Sequence, residues 1–83
     1  MKQVFLETGD RVIGLKQTLR ALQQNKAKLV YVANDVDPQI LGKIRAAGQG
    51  KNAEVVLLRV GQRELGKLCQ IDVGASVVTV VRD

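Results

Sequence analysis

Lys28-Leu29-Val30-Tyr31-Val32-Ala33-Asn34-Asp35-Val36-Asp37-Pro38 is the stretch on which the fold turns. Residues 28–33 are almost continuously apolar and rich in β-forming side chains, the pattern of a strand covered on both faces. Asp37-Pro38 then marks a helix start. The Asp carboxylate can accept from the free N–H groups of the first turn, and Pro at the first helical position has no N–H to lose. Ile40, Leu41, Ile44 and Ala47 fall on one face of that helix, and Gly48 and Gly50 end it. A buried strand leading through a short loop into an amphipathic helix is the unit of a layered α/β domain.

The same grammar extends in both directions. Upstream, Arg11-Val12-Ile13 is short and extended, and Gly14 opens a helix whose Leu15, Thr18, Leu19 and Leu22 recur at helical spacing. That helix runs from 15 to about 25, with Asn25 as its stop. Thr18 is expected to pack or bond within it. Residues 2–8 are expected to be helical. Downstream, residues 53–60 predict a second buried strand. A short helix follows over 62–69 with Glu64 placed to help cap its start, and 75–81 is strongly β-forming. Strands alternating with helices predict the α/β class: a single-domain three-layer α/β/α sandwich around a small mixed four-stranded sheet, spanning 1–83 without linker, repeat or low-complexity tract.

Composition narrows the function. The apolar residues are almost all aliphatic, with one Phe, one Tyr and no Trp. No apolar run reaches the roughly 18 residues a membrane span needs. The N-terminus lacks the apolar core and small-residue cleavage site of a secretory signal. Cys69 is the one cysteine, which suits a reducing compartment and a cytoplasmic address. The chain has no His to serve that thiol as a base, and no nucleophile–base pair converges, so neither an enzyme nor a cofactor is expected. Asp37 is better explained as a helix cap than as a metal ligand. Gly48-Gln49-Gly50-Lys51 follows a helix instead of opening one, so it reads as a turn and not as a phosphate loop.

Charge supplies the positive signal. Residues 11–34 carry five basic side chains (Arg11, Lys16, Arg20, Lys26 and Lys28) and no acidic one, while the rest of the chain cancels, leaving a net charge of +5. A polyanion is the natural partner of clustered cations, which displace counterions from a phosphate backbone. A solvated basic face with no partner is the alternative. With only Phe5 and Tyr31 available, a platform of aromatic rings stacking on bases is not expected.

Four segments taken in order carry a family resemblance: Gly14-Leu15-Lys16-Gln17-Thr18, then residues 28–38, then Glu64-Leu65-Gly66-Lys67, then Ile71-Asp72-Val73-Gly74-Ala75-Ser76. Together, over residues 11–81, they resemble the kink-turn RNA-binding ribosomal protein superfamily typified by the archaeal large-subunit protein "seven-Ae", in its short bacterial form. The resemblance implies a helix N-terminus that enters the groove of a kinked RNA at tandem sheared G·A pairs. Gly14 and Leu15 would meet the backbone there, and Lys16, Gln17 and Arg20 the guanine edges. The archaeal pattern has Asn and Glu where this chain has Lys16 and Gln17, and Lys where it has Arg20. Lysine and arginine donors suit the O6 and N7 acceptors of guanine, so the exchange keeps the contact while relaxing its selectivity.

The resemblance further implies that Ile71, Asp72, Val73 and Gly74 cover an extruded loop nucleotide. Ile71 and Val73 could equally belong to the core. Lys26, Lys28 and Lys67 are candidates for longer-range attraction to phosphate. The implied partner is a kink-turn RNA, ribosomal or regulatory, bound by a monomer away from any membrane. A protein-interaction adaptor on the same fold and a nonspecific polyanion binder are the alternatives.

Overall fold

The structure, a computed structural model, describes residues 10–82; the helix expected over 2–8 lies outside them. Seven elements follow the expected alternation: β1 (Arg11–Ile13), α1 (Leu15–Gln23), β2 (Ala27–Val32), α2 (Pro38–Gly48), β3 (Glu54–Leu57), α3 (Gln62–Leu68) and β4 (Val77–Val81). The strands form one mixed sheet in the order β1-β4-β2-β3. β4 runs antiparallel to both β1 and β2, and β3 is parallel to β2. The last strand in the chain is thus central, which is why Val77, Val78, Thr79 and Val80 are all buried.

Alternation of side chains across the pleat builds two cores. Val30, Val32 and Val77 face α1 and α2, where Ala21, Leu22 and Ile44 close over them. Val78 and Val80 face α3 and meet Leu65, Cys69 and Ala75, with Leu29 and Tyr31 at the margin. The result is the expected three layers.

Thr79 breaks the apolar run of β4 on the α1 side. Its hydroxyl lies 2.7 Å from that of Thr18, and both residues are fully buried. Thr18 therefore bonds across to the sheet and not within its helix, and the pair fixes how α1 seats on β4. Thr18→Val leaves the Thr79 hydroxyl buried without a partner and is expected to cost about 1–3 kcal/mol, read from urea unfolding. The Thr18→Val/Thr79→Val double variant should recover part of that loss.

Two expectations need correction. The segment 53–60 is not one buried strand: β3 stops at Leu57 and is the sheet edge, with Glu54 and Leu57 exposed. Its apolar pattern persists beyond the strand because Leu58 and Val60 drop into the α3-side core on the way to the next helix. Glu64 lies in the first turn of α3 but is not its cap. Asp35 Oδ1, from the loop after β2, accepts from the Gln62 backbone N–H at 2.9 Å. Asp37, by contrast, caps α2 as expected, accepting from Gln39 N–H at 2.8 Å.

Both helices facing the turns close in the same way. Asn25 takes a left-handed φ of 58°, Lys26 N–H donates to Ala21 and Asn25 N–H to Leu22. Gln70 does likewise at φ 62°, with Ile71 N–H donating to Gly66 and Gln70 N–H to Lys67. These paired bonds satisfy the last carbonyls of each helix.

Candidate nucleic-acid interface

The C-terminal ends of β1, β2 and β3 and the N-terminal end of β4 share one pole of the sheet. Four segments therefore meet there: residues 14–17, 33–37, 58–62 and 71–76. Backbone bonds lace them together. Gly14 N–H donates to Val77 at 2.9 Å, Ala33 N–H to Ser76 at 2.9 Å, Asn34 N–H to Val60 at 2.8 Å and Ala75 N–H to Gln62 at 3.0 Å.

Helix α1 starts at this pole. Gly14 is its N-cap with φ 107° and ψ 160°, a conformation open to glycine and hostile to other residues, and among the described residues no side chain caps the helix. The first-turn N–H groups of an uncapped helix look outward and carry partial positive charge. Lys16, Gln17 and Arg20 are exposed along one stripe leading away from that end, while Thr18, Ala21 and Leu22 turn inward. Leu15 is packed against the α1/α2 core, so only its backbone can face a ligand.

The segment 71–74 lies at the same pole, and its residues divide. Ile71 is half-buried against Leu65 and Cys69, because it is the residue that closes the C-terminus of α3. Val73 is 70% exposed, and Asp72 and Gly74 are exposed beside it. Of the two aliphatic residues expected to wall a nucleotide, Val73 offers the surface and Ile71 anchors the loop. Gly66 of α3 seats that loop: a Cβ there would run into the Val73 carbonyl oxygen and lie 3.0 Å from Gly74 Cα. Lys67, the next residue, is exposed.

The basic segment 11–34 does not form one patch. The chain descends α1, reverses, and climbs β2, so its charges are spread over both ends of the domain. Lys16 and Arg20 stand on α1. Lys26 lies in the turn before β2, and Lys28 in a register irregularity between Ala27 and Leu29 near the foot of that strand, at the far pole. Arg11 lies beside Cys69. Burial pushes the Cys69 thiol up from its ordinary pKa, opposed by the Arg11 guanidinium, and the net upward shift disfavours the thiolate.

Residues not anticipated from sequence also gather at the site pole. Asn34 Nδ2 donates to the Arg59 carbonyl at 2.9 Å, and Gln62 Nε2 to the Asp35 carbonyl at 3.4 Å. The first of these bonds holds exposed Arg59 at the pole, and the second ties the start of α3 to the loop after β2. The in-out-in pattern of Leu58-Arg59-Val60 was the signal that could have exposed it.

The sheet, its helical layers and this pole define a small α/β/α domain that sets an uncapped basic helix N-terminus beside a glycine-bearing loop. The chain belongs to the ribosomal protein L7Ae/L30e/S12e/Gadd45 family, whose model matches residues 2–83. An RNA-binding protein of Geobacillus sp. (strain WCH70) is 43% identical over 77 residues, covering 93% of each chain. The RNA-binding protein YbxF of Geobacillus stearothermophilus is likewise 43% identical over 93% of both chains. Large ribosomal subunit protein eL8 of Halobacterium salinarum is 32% identical over 95% of this chain and 66% of its own length. Among solved structures, the Giardia lamblia 15.5kD RNA binding protein superposes with a TM-score of 0.79 at 24% identity, covering 98% of this chain and 68% of that one.

Proposed function

We propose that this protein binds structured RNA and stabilises the bent form of kink-turn motifs, at their tandem sheared G·A pairs. The observation that carries the reading is the uncapped N-terminus of α1, with Lys16, Gln17 and Arg20 exposed along it, at the same pole as the Val73–Gly74 loop. Relatives 43% identical over 93% of the chain are RNA-binding proteins, which supports the partner class.

In this reading the N–H groups of Leu15, Lys16 and Gln17 meet phosphate or base acceptors at the helix start. Lys16 and Arg20 donate to guanine O6 and N7, and Gln17 either donates there or accepts from an amino group. Val73 covers an unstacked nucleotide, and Gly74 lets the backbone come close. Binding only the kinked form shifts the RNA population toward it. The work is recognition without catalysis, in the cytoplasm, by a monomer. Among the described residues the exposed large aliphatics are Leu57 and Val73, at a strand end and on a loop, and neither belongs to a helix stripe of the kind a protein adaptor would present.

The test is a titration of a kink-turn RNA against a control whose G·A pairs are replaced by Watson–Crick pairs, at low salt and at about 0.15 M. Tight binding to the kinked RNA that persists at the higher salt, with weak binding to the control, is expected. Equal binding to both that collapses with salt would reduce the interface to a nonspecific polyanion surface.

A further inference from the structure

The cations that the fold carries away from the site collect at the opposite pole. Arg82 organises it: its backbone N–H donates to Lys26 at 2.7 Å, and its Nη2 donates to Ala27 at 2.9 Å and to Asn52 at 2.6 Å. These bonds pin the turn before β2 to the turn before β3, and so hold Lys26, Lys28 and Lys51 around one platform. The C-terminal ends of α1 and α2 close over it, since a Cβ on Gly48 would rest 3.7 Å from Leu22. Arg45, Gly48 and Gln49 line an open hollow of about 450 Å³ there.

Charge is also sorted between the layers. Helices α1 and α2 carry Lys16, Arg20, Lys43 and Arg45, all exposed, and no carboxylate. The negative end of a helix accounts for one cation in each last turn, Arg20 and Arg45. Lys26 sits in the closing turn of α1 and shares that explanation, but the explanation does not extend to Lys28 and Lys51, which lie beyond the helix ends. Among the described residues, the carboxylates at this end of the sheet are Glu54, at the start of the β3 edge, and Asp10, at the β1 edge.

We infer that this far pole is a second phosphate-binding surface, and that its ligand is the stem of the same RNA held at the α1 N-terminus. The inference rests on the kink-turn reading. Continuity argues for one RNA: the exposed stripe Lys16, Gln17, Arg20, Gln23, Gln24 runs from the site down α1 to Lys26. An RNA stem leaving the site along this stripe would pass Lys16 and Arg20, cross the neutral Gln23 and Gln24, and reach Lys26 at the far pole.

The experiment compares the full chain with Lys26→Gln/Lys28→Gln/Lys51→Gln on two kink-turn RNAs. One has a short flanking stem and the other a stem long enough to span the domain. Arg82 is left intact because it braces the fold, and the single Lys28→Gln variant, at an exposed site, stands in should the triple variant unfold. The parent protein is expected to bind the long-stem RNA about tenfold more tightly than the short one. The triple variant should keep the short-stem affinity and lose the gain, with a salt slope on the long stem flatter by about 2–3. A gain that survives the three substitutions, or an equal loss on both RNAs, overturns the inference. So does capture of a separate duplex by the short-stem complex, which would make the pole a bridge to a second RNA. If neither kinked RNA binds in preference to its Watson–Crick control, the kink-turn reading fails and takes this surface with it. Short-stem binding without a stem-length gain sinks the second surface alone.

Discussion

Gly66→Ala is expected to destabilise the protein by about 1–3 kcal/mol, although the same change inside an exposed helix ordinarily gains about 1 kcal/mol. The sign reverses because the added Cβ meets backbone: the Val73 carbonyl oxygen, and Gly74 Cα at 3.0 Å. Neither side can give way cheaply. Helix α3 is held at its start by the Asp35 carboxylate and at its end by the bonds from Gln70 and Ile71. The loop is held by Ala75 N–H on the Gln62 carbonyl, 3.0 Å away. Relief comes only by moving residues 71–74, so affinity for kinked RNA should fall in the same variant. Urea unfolding and an RNA titration read the two effects separately. A Gly66→Ala protein as stable as the parent would show that the seat of the Val73 loop is soft.

The second large effect is expected at the start of α1. Lys16→Ala and Gln17→Ala should each weaken binding to a kink-turn RNA by about 1–3 kcal/mol and narrow the gap to a Watson–Crick control. Both side chains are exposed, and alanine is a good helix former, so stability should hold. Specificity separates this effect from general attraction. A phosphate contact weakens all RNAs alike, whereas a base-edge contact costs most on the cognate motif. Unchanged affinity of Lys16→Ala for the kinked RNA would remove the α1 N-terminus from the interface.

Much of the fold was legible before the structure. The strand at 28–33, the Asp37-Pro38 helix start, the inward face of α1 and the closing strand all follow from periodicity and capping chemistry, which act over a few residues. The errors share one cause. Residues 53–60 read as one buried strand because apolar side chains continue past Leu57, and no local pattern says that Leu58 and Val60 reach the core from a loop. Glu64 satisfied the local rule for a helix start, yet Asp35, 27 residues from Gln62, holds the position. Cross-chain caps leave no spacing to read.

The candidate site was legible to a similar degree. Lys16, Gln17 and Arg20 could be placed on the open face of a helix, and Gly14 at its start, from sequence alone. That residues 71–74 join them came through the family resemblance, and the sheet order supplies the reason: β4 lies next to β1, so the loop before β4 arrives beside the turn after β1. The same order separates Lys26 and Lys28 from Lys16, though all belong to one basic run.

The sequence by itself determined most of the helices and strands from residue 11 onward, the inward faces of α1 and α2, and that the chain carries its excess positive charge in residues 11–34, because each depends on neighbours within a turn or a pleat. Only the tertiary structure decided that β4 is central, that Thr18 meets Thr79 across 61 residues, and that Gly66 seats the Val73 loop. It also decided that the basic run divides between two poles. Those outcomes depend on which distant backbones pack together, a choice made by burial of the whole core and invisible to any local period.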